Sequence, residues 1–229
     1  MDEHPNLGAR LNVLRAGVLG ANDGIVSTAG LVLGVAATTT DLNRIAVAGL
    51  AGLVSGSLSM AVGEYVSVST QRDTEGAALA MERRELAEDP EGELEELAHM
   101  YEAKGLTAEL AREVAEQLHA GDNTLAAHAE VELGITLGRL VSPWHAAITS
   151  MISFAIGSAL PLIAVLVTRP PWRSPVTFLA VLIALVVTGS VSARLGGSAR
   201  RKAVVRVVVG GALAMAITYG VGRLVGGAL

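Results

Sequence analysis

Cysteine is absent from this 229-residue chain, aromatic residues make up only 3% of it, and lysine occurs twice. Without cysteine there is no disulfide, no thiolate metal site and no cysteine nucleophile. A zero count says nothing about the redox state of the compartment. No Gly-x-x-x-x-Gly-Lys-Ser/Thr motif is present, so a phosphate loop for ATP-driven pumping within this chain is excluded. There is also no cleavable signal pattern. Met1 to Arg15 is polar, and the apolar run that follows is too long for a signal-peptide core, so it is expected to stay as a membrane span. No internal repeat or low-complexity tract is visible.

What is present is apolar and small. Hydrophobic residues are 51% of the chain and mean hydropathy is +0.50. A soluble domain would scatter such residues at helical or strand periods. Here Ala, Val, Leu, Ile and Gly are pooled into long runs, the pattern of an integral membrane protein. Five runs are drawn, at about 13–37, 45–70, 144–167, 176–193 and 204–225. Each can cross a hydrocarbon core of roughly 30 Å as a helix, the only reasonable spanning form for single segments of this kind.

The net charge of −5 hides a split. Residues 71–140 hold 17 Asp/Glu against 6 Lys/Arg, whereas the rest holds 5 acids against 11 bases. An acidic block inside a mildly basic apolar chain argues against nucleic-acid binding and suits cations. Three parts follow: an N-terminal segment with spans one and two (1–70), an acidic helical domain (71–140), and spans three to five (141–229). Basic residues set the orientation. Arg10 and Arg15 precede span one, and Arg194, Arg200, Arg201, Lys202 and Arg206 cluster between spans four and five. Arg44, Arg169, Arg173 and Arg223 lie on the other side. The N-terminus and acidic domain are therefore expected in the cytoplasm. The Ala/Val/Arg-rich, lysine-poor usage suggests a bacterial plasma membrane.

The acidic domain reads as helices. The first continues from span two and stops near Asp89-Pro90. A second runs about Glu91–Lys104 and ends at Gly105. A third runs about Thr107–His119 with Thr107 as N-cap, and a last runs about Leu125–Leu140 behind the cap Asp122-Asn123-Thr124.

Two carboxylates fall inside spans: Asp23, in Gly20-Ala21-Asn22-Asp23-Gly24, and Glu64, in Met60-Ala61-Val62-Gly63-Glu64. Charge in hydrocarbon is costly and normally faces a protein interior or a water-filled path. Met60 and Glu64 are four apart, on one helical face. Antiparallel spans one and two would bring Asp23 and Met60 to a similar depth, about 15 Å from the cytoplasmic side at 1.5 Å per residue. Carboxylate suits hard cations and thioether soft ones. Asp23, Met60, Glu64 and Asn22 are the expected transport path. The blander reading makes Asp23 a cap on a break at Gly24, puts Glu64 among headgroups, and leaves Met60 as packing.

In the acidic domain, Glu82 and Glu85 form one Glu-x-x-Glu; Glu93 and Glu96 form another, which His99 extends. Residues three apart share a helix face, and facing pairs of this kind build carboxylate-rich metal sites. His128 and Glu132, four apart, are a third wall. A glutamate-rich helix is otherwise commonly a solvated face. His145 beside Trp144 reads as interfacial, and His119 as a helix-end residue near the C-terminal dipole. Gly30-x-x-x-Gly34 and Gly52-x-x-x-Gly56 read as helix-packing surfaces, with a dimer seam as one use.

These stretches resemble a known family. Leu14-Arg15-Ala16-Gly17-Val18-Leu19-Gly20-Ala21-Asn22-Asp23-Gly24-Ile25-Val26-Ser27-Thr28 is similar to the first span of the vacuolar iron transporter family. Ala51-Gly52-Leu53-Val54-Ser55-Gly56-Ser57-Leu58-Ser59-Met60-Ala61-Val62-Gly63-Glu64-Tyr65 is similar to its second. Glu132-Leu133-Gly134-Ile135 and Ser142-Pro143-Trp144 look like its entry to the third. The resemblance implies an all-α, five-span homodimer with the path between the two copies of span one. It implies proton-coupled export of ferrous iron and similar ions, Fe²⁺ or Mn²⁺ with Zn²⁺ and Co²⁺ as further candidates, and no permanent cofactor. It makes Asp23 and Met60 the membrane metal ligands, and Glu82, Glu85, Glu93, Glu96 and Glu132 those of the cytoplasmic domain. His128-Ala129 departs from the Met-Met pair of the plant-type members: either His128 replaces a methionine ligand or the site is altered, and the metal preference stays open between the two. Two other functions fit the residues: a membrane-anchored di-iron carboxylate oxidase, and a scaffold that binds metal but moves none.

Overall fold

The computed structural model describes residues 7–121, 123–137 and 142–228, with the backbone alone at 7–13 and 227–228. Among them are eight helices and no strand: α1 Leu7–Thr38, α2 Leu42–Glu88, α3 Pro90–Ala103, α4 Ala108–His119, α5 Thr124–Val131, α6 Pro143–Val167, α7 Arg173–Leu195 and α8 Arg200–Ala228. Helices α1, α2, α6, α7 and α8 are long and apolar enough to cross a bilayer, as the five runs predict. The protein is an integral membrane protein. Helix α2, at 47 residues and about 70 Å, is more than twice the length a hydrocarbon core needs. Its outward faces explain the composition. On α8, Val205, Val209, Leu213, Ile217 and Val221 repeat every four residues and are all exposed. Lipid solvates such a stripe, whereas water would drive it to associate.

The chain divides into two compact units, residues 1–67 with 142–229, and residues 68–141. In the first, α1 is the central element, packed on α6, α7 and α8. One apolar core joins Ile25, Ala29 and Leu33 of α1 to Val181, Ala184 and Leu185 of α7 and Met215 of α8. Another joins Val32, Ile45, Leu162 and Val165.

Helices α1 and α6 meet almost backbone to backbone. A methyl group at Gly24 would overlap the Phe154 carbonyl, and one at Gly157 would overlap the Ala21 carbonyl. The buried Ser158 hydroxyl donates to the Gly24 carbonyl at 3.2 Å across this seam. Gly30 and Gly34 face Thr218 of α8, so that small-residue pair packs within the chain. At one end of the unit, the mostly buried Arg173 donates from Nε to the Thr168 carbonyl and from Nη1 to the Thr40 carbonyl, both at 3.1 Å. It ties the α1–α2 and α6–α7 connections together.

The second unit contains the remainder of α2 with α3, α4 and α5. The Asp89 carboxylate caps α3 by accepting from the Gly92 N–H at 3.0 Å, with Pro90 in the first turn. Gly105 ends that helix at φ 102°; the Leu106 N–H returns to the Tyr101 carbonyl and the Gly105 N–H to Glu102. Thr107 caps α4 through the Leu110 N–H at 3.4 Å, as its sequence predicts. Leu97, Ala98 and Ala115 form the core of the pair.

The last helix is shorter than the sequence suggests. The expected helix over 125–140 stops at Val131. Gly134 turns to φ 66°, and the Ile135 N–H bonds the Ala129 carbonyl, closing the end. Of its expected cap, Asp122 lies outside the described residues, as do 138–141. Asn123 is the N-cap but makes no side-chain cap bond.

Candidate metal sites

Two separate sites, one in each unit, bring together most of the residues singled out above. The first is a cavity of about 350 Å³ in the membrane unit. Helix α1 lines it with Asp23, Ser27, Thr28 and Leu31; α2 does so with Gly52, Ser55, Gly56, Ser59 and Met60, and α6 adds Phe154. Helical periodicity selects these positions: Asp23, Ser27 and Leu31 are four apart, as are Ser55 and Ser59. Two glycines make the room. A methyl at Gly52 would strike Leu31, and one at Gly56 would strike the Phe154 ring. Carboxylate, hydroxyls and a thioether thus converge in a space that α1 and α2 share. The Ser27 hydroxyl donates to the Asp23 carbonyl, leaving the Asp23 carboxylate to the cavity. In the single chain Asp23 is exposed and Met60 half-buried.

The other two expected path residues sit elsewhere. Glu64 is 9% exposed, one turn beyond Met60 and outside the lining, and its buried Oε2 has no hydrogen-bond partner among the described residues. Asn22 lines a different cavity, between α1, α7 and α8, with Arg15 and Arg206. Its amide oxygen is buried without a hydrogen-bond partner among the described residues. The three serines of the cavity wall went unmarked in the sequence, although their four-residue spacing from Asp23 and from one another carries the signal.

The second site lies in the unit of residues 68–141. Glu82 of α2, Glu93 of α3, His128 of α5 and Glu132 just after it can each present a ligand atom within 4.8 Å of the others. Glu82 and His128 are 2% and 0% exposed, Glu93 is nearly as buried, and Glu132 is open. His128 Nδ1 lies 3.1 Å from Glu82 Oε1 and 3.5 Å from Glu93 Oε2. Nevertheless neither nitrogen of His128, nor Glu82 Oε1, has an aligned hydrogen bond among the described residues. Nitrogen and oxygen atoms this close without a hydrogen bond between them have lone pairs free to ligate a cation.

The electrostatics agree. Burial, then the neighbouring Glu132, Glu93 and Glu85, push the Glu82 carboxyl up to about 8. Glu82 lies well past residue 70, where the apolar run of α2 ends. Burial, then Glu96, Glu85, Glu132 and Asp89, also raise Glu93. Burial and the ring of His119 hold His128 below the ordinary imidazole value. Two buried carboxylates that resist ionising, beside an imidazole that resists protonation, suit a divalent cation with nitrogen and oxygen ligands. Glu85 and Glu96 contribute charge from the rim and are outside the four-residue group. His99, which extends Glu93 and Glu96 in the sequence, is exposed and also outside it. His119, read from the sequence as a helix-end residue, instead places its ring edge-on to His128 with centroids 5.7 Å apart.

The sequence is similar to known proteins over most of its length. A family model described as the VIT family matches residues 14–223. The chain is 44% identical over 224 residues to a vacuolar iron transporter of Acanthamoeba castellanii, covering 97% of this chain and 82% of that one. It is 37% identical to vacuolar iron transporter homolog 2.1 of Arabidopsis thaliana, covering 96% and 84%. It is 39% identical to vacuolar iron transporter homolog 1 of Oryza sativa subsp. japonica, covering 96% and 77%.

Proposed function

The chain belongs to the VIT family, and we propose that it carries divalent metal ions, Fe²⁺ or Mn²⁺, out of the cytosol across a bilayer in exchange for protons. The observation that carries this reading is the cavity shared by Asp23 and Met60. Both belong to stretches long and apolar enough to span. An oxygen and a sulfur donor held there give a partly dehydrated cation something to bind, and hydrocarbon gives a carboxylate no other reason to be kept. Three relatives named as vacuolar iron transporters or their homologs support iron as a cargo. The relatives are transporters, and the chain is not an enzyme. A membrane-anchored di-iron oxidase is not favoured, because it leaves Asp23 and Met60 without a task.

In this mechanism the acidic unit is cytosolic. Glu82, Glu93, His128 and Glu132 collect the ion, with Glu85 and Glu96 drawing it in by charge. Asp23 and Met60 pass it through the membrane, and Glu64, buried one turn along α2, relays protons. Asp23 is exposed in the single chain. A carboxylate left against lipid is costly, so a second copy covers it, making the transporter a homodimer with its path along the two α1 helices. The distribution of basic residues favours an N-terminus in the cytosol, and the lysine-poor composition accords with a bacterial plasma membrane. Purified protein in liposomes, loaded in turn with Fe²⁺, Mn²⁺, Co²⁺ and Zn²⁺, tests this with and without a proton gradient. Metal flux that the gradient accelerates is expected; metal binding without flux contradicts it.

A further inference from the structure

His128 has a buried nitrogen left over. If Nδ1, which faces Glu82 and Glu93, is the metal ligand, then Nε2 on the far side of the ring must carry the proton. A ligating histidine normally hands that proton to a carboxylate, a carbonyl or water, and this fixes its tautomer and aim. Nε2 of His128 is buried and has no hydrogen-bond partner among the described residues. Nδ1 of His119 is equally buried and equally unpartnered. The two rings stand edge-on at 5.7 Å between centroids.

The position of His119 is itself built. Its carbonyl, at the end of α4, lies 2.9 Å from the Thr124 hydroxyl, which opens α5. The helix carrying His119 is thereby fastened to the helix carrying His128. A nitrogen of neutral imidazole can serve either as donor or as acceptor, so one buried orphan can satisfy the other.

Resting on the reading of Glu82, Glu93, His128 and Glu132 as a metal site, we propose that His119 is a positioning residue that accepts the Nε2 proton of His128 and aims its Nδ1 lone pair at the metal. The consequence is selectivity. An imidazole held in the right tautomer favours Zn²⁺, Co²⁺ and Fe²⁺, which bind nitrogen well, over Mn²⁺, which carboxylates alone satisfy.

The test uses the full chain in detergent, titrated with Zn²⁺, Co²⁺ and Mn²⁺, together with ¹⁵N-histidine spectra of the Zn²⁺-loaded protein. His119→Ala is expected to weaken Zn²⁺ and Co²⁺ binding about 10–100-fold, the usual effect of losing such an outer partner. Mn²⁺ binding should change far less. His119→Gln, whose amide oxygen accepts an N–H, should recover most of the loss. The spectra should show His128 protonated at Nε2 in the parent chain and lose that single tautomer in His119→Ala. If His128→Ala abolishes Zn²⁺ binding while His119→Ala leaves affinity and tautomer untouched, the role of His119 is overturned and the metal site stands. If neither substitution changes Zn²⁺ binding, the metal site falls and the inference with it. The tautomer is read in each folded variant, so a merely destabilised mutant does not pass as support.

Discussion

His128 Nδ1 lies 3.1 Å from Glu82 Oε1, and both side chains are shut away from solvent. An uncompensated carboxylate in such a place is expensive, and this one is crowded by Glu132, Glu93 and Glu85 as well. Two consequences can be measured.

The first is pH dependence. Glu82 is raised from 4.5 to about 8, so the folded acidic unit holds a proton there that the unfolded chain gives up. Its contribution to stability falls as pH rises across that window. Glu93 is raised and acts in the same direction. His128 is lowered and opposes them, losing stability as pH drops through its ordinary value of 6.5. Above that value only the carboxylate trend operates. Melting of the metal-free protein should therefore fall between pH ~6.5 and ~8.5, and Glu82→Gln should flatten the slope.

Metal has the opposite pH dependence. It binds the ionised carboxylates and displaces their protons, so affinity should rise steadily toward and past the Glu82 value. Isothermal titration in two buffers of different ionisation enthalpy should register proton release on binding. A pH-independent affinity with no proton release would contradict the assignment of Glu82 as ligand.

The α1–α6 seam gives a packing prediction. A methyl at Gly24 meets the Phe154 carbonyl, and backbone cannot yield as a side chain can. Gly24→Ala should cost about 1–3 kcal/mol and lower the melting temperature in detergent. Gly63, on α2, has nothing within 4 Å of the corresponding position. Gly63→Ala should leave melting unchanged.

Met60 separates soft from hard cations. Met60→Leu keeps the volume and removes the sulfur, so flux of Fe²⁺ and Co²⁺ in liposomes should fall more than flux of Mn²⁺. An equal loss for all three would make Met60 a packing residue.

The membrane helices were legible because lipid demands an uninterrupted apolar run and an internally bonded backbone, and both are written residue by residue. The caps were legible for a similar local reason: Thr107 and Gly105 act on their own turns. The end of α5 was also written locally, in Gly134, which the expected helix over 125–140 runs through. The glutamate spacing pointed to a cation site without saying which acids close it. Glu82 and Glu93 are turned inward while Glu96 stays exposed, and that choice depends on how three helices face one another. The place of His119 beside His128 depends on the α4–α5 turn, a tertiary fact with no periodic signal. Asn22 adjoins Asp23 in sequence yet lines another cavity, because neighbours on a helix point about 100° apart.

The central claim is that a carboxylate is retained at residue 23 for the cation it passes. The most direct measurement is metal flux into liposomes by Asp23→Ala and Asp23→Asn, with folding checked by melting and by metal binding at the acidic unit. The account predicts that both variants fold, still bind metal there, and move none across the bilayer. Flux equal to the parent chain in either folded variant would contradict it.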